Sequence, residues 1–335
     1  MQKVFLGVDV GGTKTAVILS AQPPEALGRI EFLTQPELGP ETAINLIVQS
    51  ARSLLAQHAL KEQSIAAIGV SCGSPLDRVR GIVQAPPNLS TWIDLPICKI
   101  LAEEFHTTCR LENDANAGAV AEHRFGAGRG TENMVFLTLG TGLGAGIIAG
   151  GRLYLGANGD AGEIGHVRLS RTGPVGYHKA GSIEGWSSGG GIAQLAVSML
   201  AKAEERGHVS VLHAQLARGL TARDIGLAAH AGDAVARSIL RTSGERLGQA
   251  LAILLDVLNP ERIVLGGLAW RMGEHLLAPM RKMVSREALP QTLRACAIVP
   301  AALGEKIGDV AAVCVAMGLE DRQEPQARIE ARENQ

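Results

Sequence analysis

The stretch Val8-Asp9-Val10-Gly11-Gly12-Thr13-Lys14-Thr15 decides how this chain is read. Apolar residues over Lys3–Asp9 predict a strand, which delivers one carboxylate into a turn of two glycines, a hydroxyl and a cation. Glycine carries no Cβ, so backbone N–H groups at such a turn approach phosphate oxygens closely. The carboxylate of Asp9 does not itself bind phosphate; it suits a Mg²⁺ ion or its water. A Walker loop does not fit, because Lys must follow the second glycine directly and Thr13 intervenes. The same residues, taken alone, also fit an ordinary glycine hairpin beside an unrelated acid.

Outward from this turn, Thr15–Ser20 and Arg29–Thr34 are strand candidates spaced as hairpin partners. Glu41–Leu60 has helical apolar periodicity, Ile65–Ser71 reads as a buried strand and Ile97–Phe105 as a helix. That order is α/β with an antiparallel start. A second set begins with a strand at Met134–Leu139, a glycine turn at Gly140–Gly144 and a return strand at Ala145–Ile148. Strand, glycine turn, strand thus occurs twice and suggests two related halves facing one cleft. Ile192–Ala203 and Asp233–Val257 read as helices, and Glu261–Leu265 as a late strand ending at Gly266-Gly267. A last apolar helix is expected over Asp309–Met317. The charged segment Glu320–Gln335, without an apolar face, reads as a frayed tail.

Composition narrows the classes. At 335 residues with 46% hydrophobic and 19% charged side chains, global disorder is excluded. Aromatics are 3% of the chain and glycines number 41, so the core must come from Ala, Val, Leu and Ile. Lys plus Arg is 32 against Asp plus Glu at 33, which removes the charge argument for nucleic acid or an anionic membrane. The longest uncharged run, Met134–Gly151, is broken by glycines and threonines, and Met1 leads into a strand rather than a signal peptide. The five cysteines lack CxxC spacing and read as reduced, buried residues of a cytoplasmic protein.

Three further clusters carry chemistry. In Leu139-Gly140-Thr141-Gly142-Leu143-Gly144 a strand pattern follows the glycines, where a dinucleotide fingerprint needs a helix. A hairpin covering a phosphate and a purely structural hairpin both fit. In Glu112-Asn113-Asp114-Ala115-Asn116, Asp114 stands at a helix N-cap position. It serves either as that cap or as a base taking a proton from a substrate hydroxyl, with Asn113 bonding another hydroxyl. Glu163, His166 and Glu184 sit in glycine-rich settings and suit a ligand with several hydroxyls, such as a hexose. His58, His106, His123, His208, His213, His230 and His275 have no metal-ligand spacing and are expected at the surface.

Six motifs in order resemble the ROK family (repressor, open reading frame, kinase) of the sugar-kinase, hexokinase and actin superfamily. They are Asp9-Val10-Gly11-Gly12-Thr13-Lys14; Ala85-Pro86-Pro87-Asn88-Leu89 with Trp92; Glu112–Asn116; Gly140–Gly144; Gly162-Glu163-Ile164-Gly165-His166; and Ile263–Gly267. The resemblance covers residues 3–318 and implies two actin-like (ribonuclease H-like) α/β lobes flanking a cleft. The expected N-terminal lobe is 1–120 completed by a helix at about 305–318, the C-terminal lobe is 121–304, and 319–335 is the tail. It further implies an ATP-dependent kinase acting on the 6-hydroxyl of a hexose, glucose first, or an N-acetylhexosamine. By resemblance Asp114 is the general base, and Asn88, Asn113, Glu163, His166 and Glu184 hold the sugar. Asp9 holds Mg²⁺ through water, Gly11, Gly12, Thr13 and Lys14 with Gly140, Thr141, Gly142 and Gly144 flank the ATP phosphates, and Gly266 and Gly267 meet the adenosine. A homodimer is also implied.

One departure stands out. The family's zinc motif, a His followed by CxCGxxGCxE, aligned on Glu184 puts its cysteine positions at Val175, Tyr177 and Ser182. His166 alone cannot hold a zinc ion that needs about four ligands, so no zinc site is expected. The alternatives are a sugar-responsive regulator of the same family, for which only three residues precede Val4, and a non-catalytic sugar-binding module.

Overall fold

The computed structural model describes residues 3–319; of the expected tail, everything after Leu319 lies outside the described residues. The chain divides into two compact units. Of the described residues, the first comprises those through Glu132, Gly146–Gly159 and those from Glu305 to Leu319; the second comprises Asn133–Ala145 and Asp160–Gly304. No described helix is long and apolar enough to cross a membrane.

The first unit is built on a five-stranded sheet in the order Gly28–Leu33, Lys14–Ser20, Val4–Val10, Ile65–Cys72, Cys109–Asn113. The first three strands are antiparallel neighbours and the last three are parallel. Period-2 alternation sorts the side chains between two faces. Val4, Leu6, Val8, Val17 and Leu19 pack with the helices Pro40–Gln57 and Ile97–Phe105. On the other face Ala16 and Ile18 meet Val313 of the last helix, Ile307–Met317. That helix is buried continuously over Val310–Ala316, as a helix apolar on every side must be. It crosses the sheet at Gly69, where a Cβ would stand 2.1 Å from the backbone nitrogen of Ala316.

The second sheet has the order Arg152–Leu153, Leu143–Ala149, Met134–Leu139, Arg262–Leu265, Ala297–Pro300. Arg262–Leu265 is parallel to both of its neighbours, and the boundary between the units falls inside Leu143–Ala149, after Ala145. The 25-residue helix Ala234–Leu258 packs against Glu274–Glu287.

Several elements differ from the sequence expectation. The helix expected from Ile192 starts at Gly189, where Ser188 caps it by accepting the Gly191 N–H at 3.0 Å. Three consecutive glycines, poor helix formers, hid that start. The helices Ala222–His230 and Glu274–Glu287 were not anticipated; Pro279 lies inside the latter, and only Leu276, Leu277, Met280 and Val284 form its buried stripe. His123, expected at the surface, is buried with its Nε2 2.7 Å from the Thr131 carbonyl oxygen.

Because backbone atoms surround Gly69, nothing there can give way. Gly69→Ala should lower unfolding free energy by about 2–3 kcal/mol, the upper part of the overpacking range, as a reduced urea midpoint at unchanged slope. An unchanged midpoint would mean that the last helix is not seated on this strand.

Candidate active site

Strand register assembles the acidic edge of the first unit. Asp9 is aligned with Ser71 across one strand pair, and Ser71 with Glu112 across the next. The carboxyl ends of three parallel strands therefore present Asp9, Ser71 and the Glu112–Asp114 turn together, the usual ligand-facing edge of an α/β sheet. Burial pushes the Asp9 carboxyl up to about 7, helped by the Asp114 and Asp309 carboxylates, while Arg29 and a Ser71 hydrogen bond oppose the rise. Asp309 is itself paired with Arg29, whose Nε lies 2.9–3.0 Å from both carboxylate oxygens.

The helix Asp114–Phe125 corrects the sequence reading by one residue. Its N-cap is Asn113, whose Oδ1 accepts the N–H groups of Ala115 at 2.9 Å and Asn116 at 3.2 Å. Asp114 is the first helical residue and is exposed. Its Oδ1 accepts the Ala115 N–H at 2.8 Å, and no hydrogen bond is described to Oδ2. Desolvation by the protein around it raises the Asp114 carboxyl above the ordinary range, against the pull of the Ala115 N–H and of its own backbone N–H. Asn113 also donates from Nδ2 to Ser74 Oγ at 2.9 Å, so what it can offer a hydroxyl is the second amide hydrogen.

Beneath the turn lies a residue that pattern reading quoted without a role. Glu112 is 1% exposed; Oε1 accepts the Asn113 N–H at 2.9 Å and Asn116 Nδ2 at 3.0 Å, and Oε2 accepts Arg78 Nε at 2.9 Å. A buried carboxylate with three donors fixes the backbone that carries Asp114. Arg78, from a loop 34 residues earlier, has no local signature, which is why sequence reading passed over it.

The opening glycine turn is held from behind. Thr34 Oγ1 donates to the Gly11 carbonyl at 2.7 Å and pairs with Thr15 Oγ1 at 2.9 Å. Asn88 lies against Gly12, where a Cβ would stand 2.5 Å from the Asn88 Cβ. Thr13 is exposed, and Lys14 is exposed with its ammonium on Glu31, which also pairs with Arg29.

In the second unit the Gly140–Leu143 turn is bonded to the segment that follows Glu184. The Gly189 N–H donates to the Gly140 carbonyl at 2.8 Å and the Gly190 N–H to the Thr141 carbonyl at 3.2 Å. The Glu163–His166 turn lies against the return strand. Gly162, at φ +103°, would put a Cβ 1.9 Å from the Ala145 carbonyl oxygen, and Gly165 one 2.1 Å from that of Leu143. Glu163 and His166 are exposed. Gly266 is buried, its N–H donating to the Leu137 carbonyl at 2.8 Å, whereas Gly267 is exposed.

The segment lacking the zinc cysteines folds as a small hairpin, Val175–Gly176 with Lys179–Ala180. Gln194 clamps Val175 by accepting its N–H and donating to its carbonyl, both at 2.9 Å. Ser182 caps the helix Ile183–Ser187 through the Gly185 N–H at 3.1 Å. Tyr177 meets the His166 ring edge-on at 6.0 Å, and Lys179 Nζ donates to the His166 carbonyl at 2.9 Å. Among the described residues no three His, Cys, Asp or Glu side chains converge to hold a metal ion. Mg²⁺ needs no such cage, since it keeps waters and takes one or two carboxylates plus substrate phosphates. The Asp9 edge fits that requirement: burial raises the Asp9 carboxyl and the Asp114 and Asp309 carboxylates add to the rise, a strain that a divalent cation would relieve.

The ROK family pattern matches residues 5–318, nearly the whole chain. The protein belongs to the ROK family. Its relatives include a glucokinase of Halalkalibacterium halodurans, 33% identical over 312 residues and covering 91% of this chain and 92% of that one. A solved ROK family glucokinase from Streptomyces griseus, in complex with glucose and AMPPNP, is 31% identical with a TM-score of 0.76, covering 94% and 99% of the two chains. A xylose repressor of Caldicellulosiruptor bescii is 26% identical, covering 85% of this chain and 70% of its own. The fold is thus that of the ROK kinases, mixed α/β with the actin-like ATPase architecture.

With polar and aromatic contacts holding the Val175–Ala180 hairpin, chelation by EDTA should leave the melting temperature unchanged. Gln194→Ala should cost about 1 kcal/mol, the scale of one or two partly exposed hydrogen bonds. A melt that EDTA lowers, or stoichiometric zinc by elemental analysis, would contradict the assignment.

Proposed function

We propose that the protein is an ATP-dependent sugar kinase that phosphorylates the 6-hydroxyl of a hexose, with glucose the first candidate. The observation that carries this reading is the state of Asp114. Asn113 takes the capping duty, Oδ1 is anchored on the helix, and Oδ2 of an exposed carboxylate with a raised pKa is left for a proton. Such a group is poised as a general base.

The 6-hydroxyl proton passes to Asp114 as the O6–Pγ bond forms and the bond from Pγ to the bridging oxygen of ADP breaks. Phosphoryl transfer asks mainly for positioning and charge neutralisation. Asp9 would hold Mg²⁺ here, and the ion would supply that neutralisation. Gly11–Lys14 and Gly140–Gly144 are assigned to the phosphates and Gly267, with Gly266 behind it, to the adenosine. Asn113, Glu163, His166 and Glu184 are assigned to the sugar hydroxyls, and Asn88 stands beside Gly12. The glucokinase relatives support the substrate class. Similarity to the xylose repressor supports a second reading, a sugar-responsive regulator that binds without turnover.

A hexose panel with ATP and Mg²⁺, read by ADP release, separates the two. The kinase reading predicts turnover with at least one hexose; sugar binding without turnover would favour the regulator. Asp114→Asn should lower kcat about 10²–10⁴-fold with sugar affinity retained. A variant keeping more than about a tenth of the parent rate would remove Asp114 from that role.

A further inference from the structure

Glu184 is the second residue of the short helix Ile183–Ser187. Its Oε2 accepts the N–H of Leu143 at 3.0 Å, at the point where the glycine turn becomes the return strand. The side chain passes through a slot cleared by glycines from two separate segments. A Cβ on Gly142 would stand 2.9 Å from Glu184 Oε2, and one on Gly176 2.7 Å from its Cβ. A carboxylate that only bonded a sugar hydroxyl would need no such slot.

The slot leads to the nucleotide turn. Gly140, Thr141 and Leu143 are each bonded to the single segment 184–190: Gly140 and Thr141 through their carbonyls to Gly189 and Gly190, Leu143 through its N–H to Glu184. Of these three attachments, the one from Glu184 is made by a side chain, and it is charge-assisted. With Oε2 on Leu143, Oε1 is left for a ligand hydroxyl.

We propose that Glu184 is a positioning residue for the nucleotide-phosphate turn, in addition to being a sugar ligand. It rests on the kinase reading above. One carboxylate oxygen fixes Gly140–Leu143 and the other meets the sugar, so that a single side chain couples sugar occupancy to the order of the phosphate turn. By linkage, sugar then tightens nucleotide binding by the same factor as nucleotide tightens sugar binding.

The test is AMPPNP binding with Mg²⁺ measured by calorimetry in the complete absence of sugar, where a sugar ligand alone has nothing to do. Glu184→Ala should raise the AMPPNP Kd about tenfold, the scale of one charge-assisted hydrogen bond. Glu184→Gln keeps an acceptor oxygen for Leu143. It should leave that Kd within about twofold of the parent, inside the weak end of a neutral hydrogen bond, while raising the glucose Kd. Glu184→Asp keeps the charge but is one methylene too short to reach Leu143, and should follow the alanine variant toward AMPPNP; it decides the matter if Glu184→Ala does not fold. An AMPPNP Kd unchanged in the alanine and aspartate variants would overturn the positioning role and leave the kinase reading intact. A parent protein that does not bind AMPPNP would overturn both.

Discussion

Two carbonyl oxygens set the terms for the second unit. Those of Ala145 and Leu143 lie where a Cβ on Gly162 or Gly165 would stand, at 1.9 and 2.1 Å. Such distances admit only a hydrogen at those positions, and Gly162 adds a positive φ. The glycines of Gly162-Glu163-Ile164-Gly165-His166 are therefore spaced to lay one turn flat along one strand. The Ala145 N–H donates back to the Gly162 carbonyl at 3.1 Å, which closes the contact. The Gly140–Gly144 hairpin and the Gly162–His166 turn, separate in sequence, become one piece of backbone.

The first unit solves a different problem, that of gathering carboxylates. Parallel register puts Asp9, Ser71 and Glu112 in a row; burial raises the Asp9 carboxyl, and the Asp114 and Asp309 carboxylates add to that rise. The cations present answer other acids as well: Arg29 is shared between Asp309 and Glu31, and Lys14 is on Glu31. Glu112 is neutralised from below by Arg78. What is left is an edge with negative charge in excess, the electrostatic condition under which a divalent cation is held with few protein ligands.

The strands around Asp9 and the two glycine turns were legible because each is announced locally, by alternation and then by glycine. The Asn113–Asp114 turn was legible to within one residue. Both side chains are good caps, and only the backbone angles decide that Asn113 is the cap and Asp114 the first helical residue. Two of the glycines also have packing duties that no local pattern announces: Gly12 makes room for Asn88 and Gly266 for the strand Met134–Leu139. What was not legible was non-local. The pairs Arg78–Glu112, Gln194–Val175 and Glu184–Leu143 join residues 34, 19 and 41 positions apart, and no local pattern marks them.

Amide exchange at single residues of the second unit tests most directly whether turn and strand are one body. If they are, the N–H groups of Leu143 and Ala145, bonded to Glu184 and Gly162, exchange as slowly as those of the strand Met134–Leu139, and glucose added without nucleotide slows Leu143 further. Exchange at Leu143 and Ala145 as fast as at the exposed Thr141, with no response to glucose, would contradict the account.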